Sequence, residues 1–187
     1  MSRLAVFFPG IGYTADKPLL YYSRRLAAQL GYDIKVLVFS GFPSNVRGEA
    51  EKMRECFNIA RYQSVEQLFK TDLESYSEIV FISKSIGTAA AVEYASESPA
   101  KSRIRHILYT PREETFKFDI SSAIVFTGSE DPWVGKGAIP ELCKEKGLPC
   151  TVVPNANHSL ETGDALADIQ NLKEIIDKIK PFANIKR

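Results

Sequence analysis

Three short polar segments of the sequence contain side chains that together suit nucleophilic chemistry. Ser85 lies in the segment S-K-S-I-G, Asp131 in T-G-S-E-D-P, and His158 in P-N-A-N-H-S. A serine hydroxyl needs a base within hydrogen-bond reach to become a good nucleophile, and imidazole titrates close to neutral pH. The chain has 2 histidines, and His106 starts an apolar segment, where we expect a structural role. His158 is therefore the candidate base.

The elements that must position these residues begin with six apolar stretches that predict buried strands. Each stretch is rich in β-branched and aromatic residues and is bounded by turn signals. Their hydrophobicity is continuous rather than alternating, which is typical of parallel strands covered on both faces. The predicted strands are Leu4–Phe8, Ile34–Phe39, Ile79–Ser83, Ile104–Tyr109, Ala123–Thr127 and Cys150–Val153.

Helical patterns lie between these strands. The strongest amphipathic stripe runs from Leu166 to Ile179 and is expected to stop at Pro181, and a short separate helix is predicted at 65–69. Strand and helix alternate along the whole chain, which predicts an α/β three-layer sandwich with a six-stranded, mostly parallel sheet. Further helices are predicted near 19–30, 50–60, 89–95 and 140–146.

The three polar segments all follow predicted strands. Ser85 comes after the third strand, Asp131 after the fifth, and His158 after the sixth. Open α/β sheets bind their ligands outside the carboxyl ends of the strands. We therefore expect the three side chains to converge on one edge of the sheet.

The segment around Ser85 resembles the nucleophile elbow of the α/β-hydrolase family, G-x-S-x-G, with Ser83 in place of the first glycine. The order Ser85, Asp131, His158 is also that family's order of nucleophile, acid and histidine. The resemblance implies a catalytic triad of these three residues. It also implies a serine hydrolase that cleaves a small ester, thioester or amide through an acyl-enzyme. Glu130 is a neighbouring rival to Asp131 for the role of the acid.

The same resemblance implies an oxyanion hole and a substrate pocket. The backbone N–H groups of Ile86 and Ile11 would bind the oxyanion. Only 111–122 separates the fourth and fifth strands, too little for a helical cap, so the implied structure is a minimal α/β-hydrolase fold with an open pocket. The residues assigned to that pocket are Gly10, Gly12, Tyr13, Lys84 and Trp133.

Phe42, Phe116 and Lys84 have simpler interpretations than a catalytic role. Phe42 and Phe116 are expected to belong to the core. Lys84 is the one charge inside the elbow motif. It is expected to be exposed on the rim of the site, and in the alternative it favours an acidic substrate.

Two alternatives of other classes remain open. The segment G-I-G-Y-T-A at 10–15 fits the dinucleotide fingerprint G-x-G-x-x-G/A. That fingerprint requires an acidic residue near the end of the second strand, whereas Asp33 stands at the beginning of that strand. The other alternative is a non-catalytic binding protein with the hydrolase fold, which Ser83 and Lys84 beside the nucleophile motivate.

The length and net charge of the chain limit what kind of protein it can be. The 187 residues are expected to form one domain, and 24 Lys+Arg against 23 Asp+Glu give a net charge of +1. No overall field therefore attracts nucleic acid or a membrane, and the basic tail at 178–187 is interpreted as a solvated end.

The cysteines and the apolar run near the N-terminus determine what we expect of cofactors, partners and localisation. The 3 cysteines form no C-x-x-C pair, so neither a disulfide framework nor a metal site is indicated. The apolar run Leu4–Phe8 is too short for a signal peptide or a membrane helix. We expect a cytoplasmic protein without a cofactor, acting on a small-molecule acyl substrate, and the sequence leaves its oligomeric state open.

Overall fold

The computed structural model of the protein describes residues 2–183. Its centre is a six-stranded sheet in which every neighbouring pair of strands is parallel. The strands follow one another across the sheet in the order β2-β1-β3-β4-β5-β6. They are β1 (Arg3–Phe8), β2 (Asp33–Val36), β3 (Glu78–Lys84), β4 (Ile104–Tyr109), β5 (Ala123–Gly128) and β6 (Cys150–Val153).

Helices cover both faces of this sheet. In chain order they are α1 (Pro18–Gln29), α2 (Ala50–Leu68), α3 (Ile86–Glu97), α4 (Ala138–Glu145) and α5 (Ala165–Ala183). Helices α1 and α5 pack together on one face, and α2, α3 and α4 lie on the other. The predicted three-layer α/β sandwich is therefore confirmed.

The continuous hydrophobicity of the strands reflects these two covered faces. In β1, Ala5 and Phe7 pack with the α1 and α5 side, whereas Val6 and Phe8 pack with α2 and α3. All four side chains are completely buried. Because successive residues of a strand point to opposite faces, a strand covered on both sides needs an apolar residue at each position.

The structure corrects three predicted element boundaries. The second strand ends at Val36 rather than Phe39, because β2 is an edge strand with β1 as its only neighbour. The short helix predicted at 65–69 is the end of the continuous helix α2. Helix α5 continues through Pro181 to Ala183 instead of stopping there. Proline in the last turn leaves only the carbonyl four residues earlier without its helical partner.

The connection between β4 and β5 contains a single short 3-10 helix, Glu113–Lys117. No cap helix is inserted there, as predicted. Residues 178–183 of the basic tail belong to α5, and the rest of that tail lies outside the described residues. No helix within residues 2–183 has the length and apolar character needed to cross a bilayer.

Chain order reverses between β1 and β3, because β2 lies outside β1 and all later strands lie beyond β3. Such a reversal opens a crevice at the carboxyl ends of the two central strands. The loop at 9–13 follows β1, and Ser85 follows β3. The topology therefore brings these two segments to one crevice.

Candidate active site

Ser85 occupies a sharp turn between β3 and α3. Its backbone has φ 56° and ψ −124°, a conformation that costs a non-glycine residue roughly 1–3 kcal/mol. The turn places the hydroxyl at the carboxyl edge of the sheet, with the side chain 9% exposed. Ser83, which replaces the first glycine of the motif, is buried, and its Oγ donates to the Ile107 carbonyl at 3.4 Å. This strand position thus accepts a small side chain.

Gly87 allows α3 to approach the end of β1. A Cβ at this position would lie 2.3 Å from the Pro9 carbonyl oxygen and 2.6 Å from that of Phe8. Real Cβ atoms do not come this close to another heavy atom, so the position requires glycine. The close approach sets the loop after β1 directly beside the Ser85 turn.

The structure brings the three side chains predicted for the site into one hydrogen-bonded chain. His158 Nε2 lies 2.7 Å from Ser85 Oγ, and His158 Nδ1 lies 2.7 Å from Asp131 Oδ2. These contacts are satisfied together when Nδ1 carries the proton and donates to the carboxylate, while Nε2 accepts from the hydroxyl. The imidazole is then in the tautomer that can take a proton from Ser85.

Asp131 is the carboxylate that contacts His158, and its neighbour Glu130 is not. The Oδ1 of Asp131 also accepts the Trp133 backbone N–H at 2.9 Å. Burial alone would raise the pKa of Asp131, but the hydrogen bond and charge of His158, the Trp133 N–H and the charge of Lys84 together outweigh burial and bring the pKa below its usual value. The Glu130 carboxylate instead accepts from Ser129 Oγ at 3.3 Å.

The pKa of His158 is lowered from its usual value of 6.5. Burial is the largest cause, and the hydrogen bond to Asp131 opposes it. The charges of Lys84 and Arg112 lower the pKa further. The Trp133 ring packs against the imidazole with centroids 5.5 Å apart. The surroundings of His158 therefore favour its neutral form, which is the form that can act as a base.

Two backbone N–H groups in the segments around Ser85 have no acceptor within the described residues. Ile86 is the first residue of α3, a position whose N–H has no partner within its own helix. Ile11 lies in a tight turn closed by hydrogen bonds between Gly10 and Tyr13, at 3.0 and 3.3 Å. Within residues 2–183, neither the Ile86 nor the Ile11 N–H donates a hydrogen bond to the protein.

The structure corrects the expectation for Lys84. Its side chain is 1% exposed and lies beneath the site instead of on its rim, so it cannot reach a substrate from there. The ammonium donates to Thr110 Oγ1 at 2.6 Å and lies 4.9 Å from the centre of the Tyr13 ring. Burial lowers the pKa of Lys84 to about 7.

The other residues predicted for the pocket divide into buried and exposed positions. Gly10 and Tyr13 are buried, whereas Gly12 is exposed. The Tyr13 hydroxyl accepts the Leu19 N–H at 3.1 Å, and burial raises the pKa of Tyr13 to about 12. Tyr13 therefore packs below the site. Trp133 is partly exposed and lines a cavity.

Two cavities have linings that the sequence mostly did not indicate, and neither lining includes Ser85 or His158. One of about 350 Å³ includes Trp133, and another of about 360 Å³ includes Ile86. Both are lined by Ala50, Met53 and Arg112, so they adjoin one another. Arg112 also donates from Nη1 to the Trp133 carbonyl, which fixes the chain that carries the tryptophan.

Of the two aromatic residues expected in the core, Phe116 lies there and Phe42 lies near the site. Phe116 is 5% exposed and packs under α3 and α4. Phe42 is half-buried, and it packs with Ile11 and Trp133 around a cluster that includes Ile86. Phe42 therefore belongs to the apolar surroundings of the site.

The geometry disfavours the dinucleotide-binding alternative. Asp33 is the first residue of β2, at the edge of the sheet opposite to the loop at 10–15. The strand order also differs from the 3-2-1-4-5-6 order of the dinucleotide-binding fold. Among residues 2–183, no cluster of histidine, cysteine and carboxylate side chains is arranged to hold a metal ion.

Comparison with solved structures identifies the fold. The chain is similar to a proposed alpha/beta hydrolase of unknown function from Agrobacterium tumefaciens, with a TM-score of 0.69 and 14% identity over 98% of this chain and 86% of that one. It is also similar to an alpha-beta serine hydrolase homologue from Coxiella burnetii, with a TM-score of 0.60 and 15% identity over 95% and 85% of the two chains.

A third similar structure is an esterase from Pyrococcus furiosus, with a TM-score of 0.62 and 13% identity over 96% of this chain and 83% of that one. No protein-family model and no curated protein sequence matches the chain. At these identities the similarity defines the fold. The protein has the α/β-hydrolase fold in a form without a cap, and these three neighbours are named as a proposed hydrolase, a hydrolase homologue and an esterase.

Proposed function

We propose that the protein is a serine hydrolase that cleaves a small ester, thioester or amide through an acyl-enzyme. The observation that carries this proposal is the hydrogen-bonded chain from Asp131 through His158 to Ser85, with both contacts at 2.7 Å. The strained backbone of Ser85 supports it further, because such strain is concentrated at functional sites.

In the proposed acylation step, Ser85 Oγ attacks the carbonyl carbon of the substrate while His158 Nε2 takes the hydroxyl proton. The Asp131 carboxylate keeps the imidazole in the required tautomer and stabilises the imidazolium that forms. The protonated His158 then gives its proton to the leaving group. Since the pKa of Asp131 lies below its usual value, this carboxylate is ionised at neutral pH.

The negative charge on the substrate oxygen is assigned to the N–H groups of Ile11 and Ile86. Donors already fixed in place stabilise the tetrahedral intermediate without reorganising during the reaction. The free N–H groups on either side of the elbow support this assignment. A water molecule, activated by His158 as base, then releases the acid from the acyl-enzyme.

The open site suits small or exposed acyl groups. Without a cap between β4 and β5, the substrate would bind against Trp133, Met53 and Ile86 in the two adjoining cavities. Apolar and charged side chains both line these cavities, and the charged ones are Arg47, Glu49, Arg54, Arg112, Glu113, Glu114 and Lys117. The similar Pyrococcus furiosus protein is an esterase, so esters are the first class to test.

The proposal is tested with a panel of p-nitrophenyl esters and acyl-CoA thioesters of graded chain length. We expect hydrolysis that falls by several orders of magnitude in kcat for Ser85→Ala and for His158→Gln. Glu130→Gln is the matched control and should retain activity, because its carboxylate does not contact His158. Full activity of Ser85→Ala on a substrate of the wild type would overturn the proposal.

A non-catalytic protein with this fold is the second candidate, motivated by the charged, buried Lys84 next to Ser85. It predicts that the folded wild type hydrolyses none of the panel and forms no covalent adduct with a serine-directed probe. Binding of an acyl compound without turnover would then be the outcome that favours it.

A further inference from the structure

The proposed mechanism makes no use of Lys84, although this side chain is completely buried next to the nucleophile. A buried ammonium loses its hydration and needs strong partners to compensate. Its Nζ has one hydrogen bond, to Thr110 Oγ1, and one aromatic face, that of Tyr13. Within residues 2–183 no carboxylate oxygen lies within 4.0 Å of Nζ. A conventional ion pair therefore does not account for this lysine.

Thr110 connects the ammonium to the loop that carries the proposed base. Its Oγ1 accepts from Lys84 Nζ at 2.6 Å and donates to the His158 carbonyl oxygen at 3.0 Å. Thr110 is fully buried, and its φ of 39° is rare for a β-branched residue. From this unfavourable backbone conformation the hydroxyl makes both hydrogen bonds.

Resting on the proposed function, we propose that Lys84 is a positioning residue with two effects on His158. Through Thr110 it holds the backbone of His158 in line with Ser85, and through the same two hydrogen bonds its ammonium is held close enough to His158 for its charge to act on the imidazole. The Lys84–Thr110–His158 bridge therefore positions a catalytic residue as well as filling the core. It ties the residue before the nucleophile directly to the residue that activates it.

The groups that face the two side chains set the sign of the charge effect. Lys84 is surrounded by the Tyr13 ring and by the more distant carboxylates of Asp131 and Glu161, which favour its charged form. Burial opposes them and lowers the pKa of Lys84 to about 7, so the lysine is charged below that pH.

His158 would take up a proton in that same acidic range. Besides burial and Asp131, it experiences the charges of Lys84 and Arg112, and both lower its pKa. Removing the lysine charge should therefore raise the pKa of His158 and move the loss of activity to higher pH. Removing only the hydrogen-bonded bridge should not.

Two nearly isosteric substitutions separate these effects. Lys84→Met removes the charge and the Lys84–Thr110 hydrogen bond, whereas Thr110→Val removes both hydrogen bonds of the bridge and leaves the lysine in place, charged in the acidic range. We expect kcat/KM at its optimal pH to fall about tenfold or more in each variant, the rate factor that corresponds to the free energy of about one hydrogen bond. Only Lys84→Met should also move the acid limb of the kcat/KM profile to higher pH. Lys70→Met, at an exposed lysine, should change neither quantity.

The experiment compares the pH dependence of kcat/KM for these proteins on one ester, with folding monitored by circular dichroism. An unmoved acid limb in folded Lys84→Met would overturn the charge effect. Unchanged kcat/KM in Thr110→Val would overturn the bridge, and this second variant remains decisive if Lys84→Met does not fold. Failure of the proposed function itself would appear differently, as wild-type hydrolysis that survives Ser85→Ala.

Discussion

A Cβ atom on Gly128 would lie 2.1 Å from the carbonyl oxygen of Ala156. Gly128 ends β5, three residues before Asp131, and Ala156 precedes His158 by two residues. The Glu130 N–H also donates to the Ala156 carbonyl at 3.0 Å. The short contact between the two loops is thus what sets the carboxylate within hydrogen-bond distance of the imidazole.

Substituting Gly128 with alanine should therefore separate the two loops. We expect the Gly128→Ala protein to lose about 1–3 kcal/mol of unfolding free energy, as overpacked sites do, and to lose most of its hydrolytic activity. Urea unfolding and ester hydrolysis measure the two effects. Gly135→Ala is the control, since a Cβ there meets only ordinary contacts of 3.4 Å or more. Equal stability and activity in both variants would contradict this account of the loops.

The turn that carries Ile11 allows a clean removal of one proposed oxyanion donor. Gly12 has φ 66°, and the Tyr13 N–H donates to the Gly10 carbonyl, as in a type II turn with Ile11 at its second position. Proline is favoured at that position, so Ile11→Pro should keep the turn and remove only the N–H. We expect kcat to fall about 100- to 1000-fold while the melting temperature is retained.

The control for this prediction is Ile11→Ala, which shortens the side chain and keeps the N–H. Its kcat should stay within about tenfold of the wild type, because the donor is still present. If Ile11→Ala lost as much activity as Ile11→Pro, the side chain and not the N–H would be the important group.

The strained turn at Ser85 should lower the stability of the protein, and glycine at this position should recover part of that stability. Glycine adopts the φ and ψ of Ser85 without steric cost, whereas alanine does not. Ser85→Gly should therefore be more stable than Ser85→Ala by about 1 kcal/mol, although neither has the hydroxyl. Chemical unfolding of the two variants measures the difference, and equal stabilities would show that the turn stores no strain.

The second histidine should make the fold sensitive to acid. His106 is completely buried, and burial lowers its pKa from 6.5 to about 4. Its Nδ1 has no hydrogen-bond partner among residues 2–183. Between these two pH values the unfolded chain binds a proton that the folded protein does not, so stability falls as the pH falls. We expect a loss of about 2 kcal/mol between about pH 7 and about pH 5.

His106→Leu tests that prediction, because it removes the titrating group and keeps an apolar side chain against Phe81, whose ring packs edge-on at 5.8 Å. The difference in unfolding free energy between the two pH values should become smaller by about the same amount. A pH dependence identical to that of the wild type would assign the acid sensitivity to other groups, such as His158.

Much of the fold was predictable because its signals are local. The four inner strands β1, β3, β4 and β5 are buried, mostly apolar runs, and covering on both faces gives such runs their continuous hydrophobicity. The ends of the helices and strands were less predictable, because they depend on the neighbouring elements in the fold. Helix α5 tolerates Pro181 in its last turn, and β2 ends early because it has only β1 beside it.

The site was predictable in its polar residues and not in their surroundings. Ser85, Asp131 and His158 each follow a strand, so topology alone brings them to one edge. The burial of Lys84 could not be read from a motif, because it depends on Thr110 and Tyr13 from two other segments. Gly128 lies in the segment T-G-S-E-D-P that carries Asp131, but the contact with Ala156 that requires glycine exists only in three dimensions.

Reaction with a fluorophosphonate probe shows whether Ser85 is an activated nucleophile. We expect one covalent adduct per wild-type chain by intact mass, mapped to Ser85 by peptide analysis. We also expect no adduct in Ser85→Ala and much slower labelling in His158→Gln, because the hydroxyl then lacks its base. A folded wild type that remains unlabelled, or that is labelled equally well when Ser85 is alanine, would contradict the proposed role of Ser85.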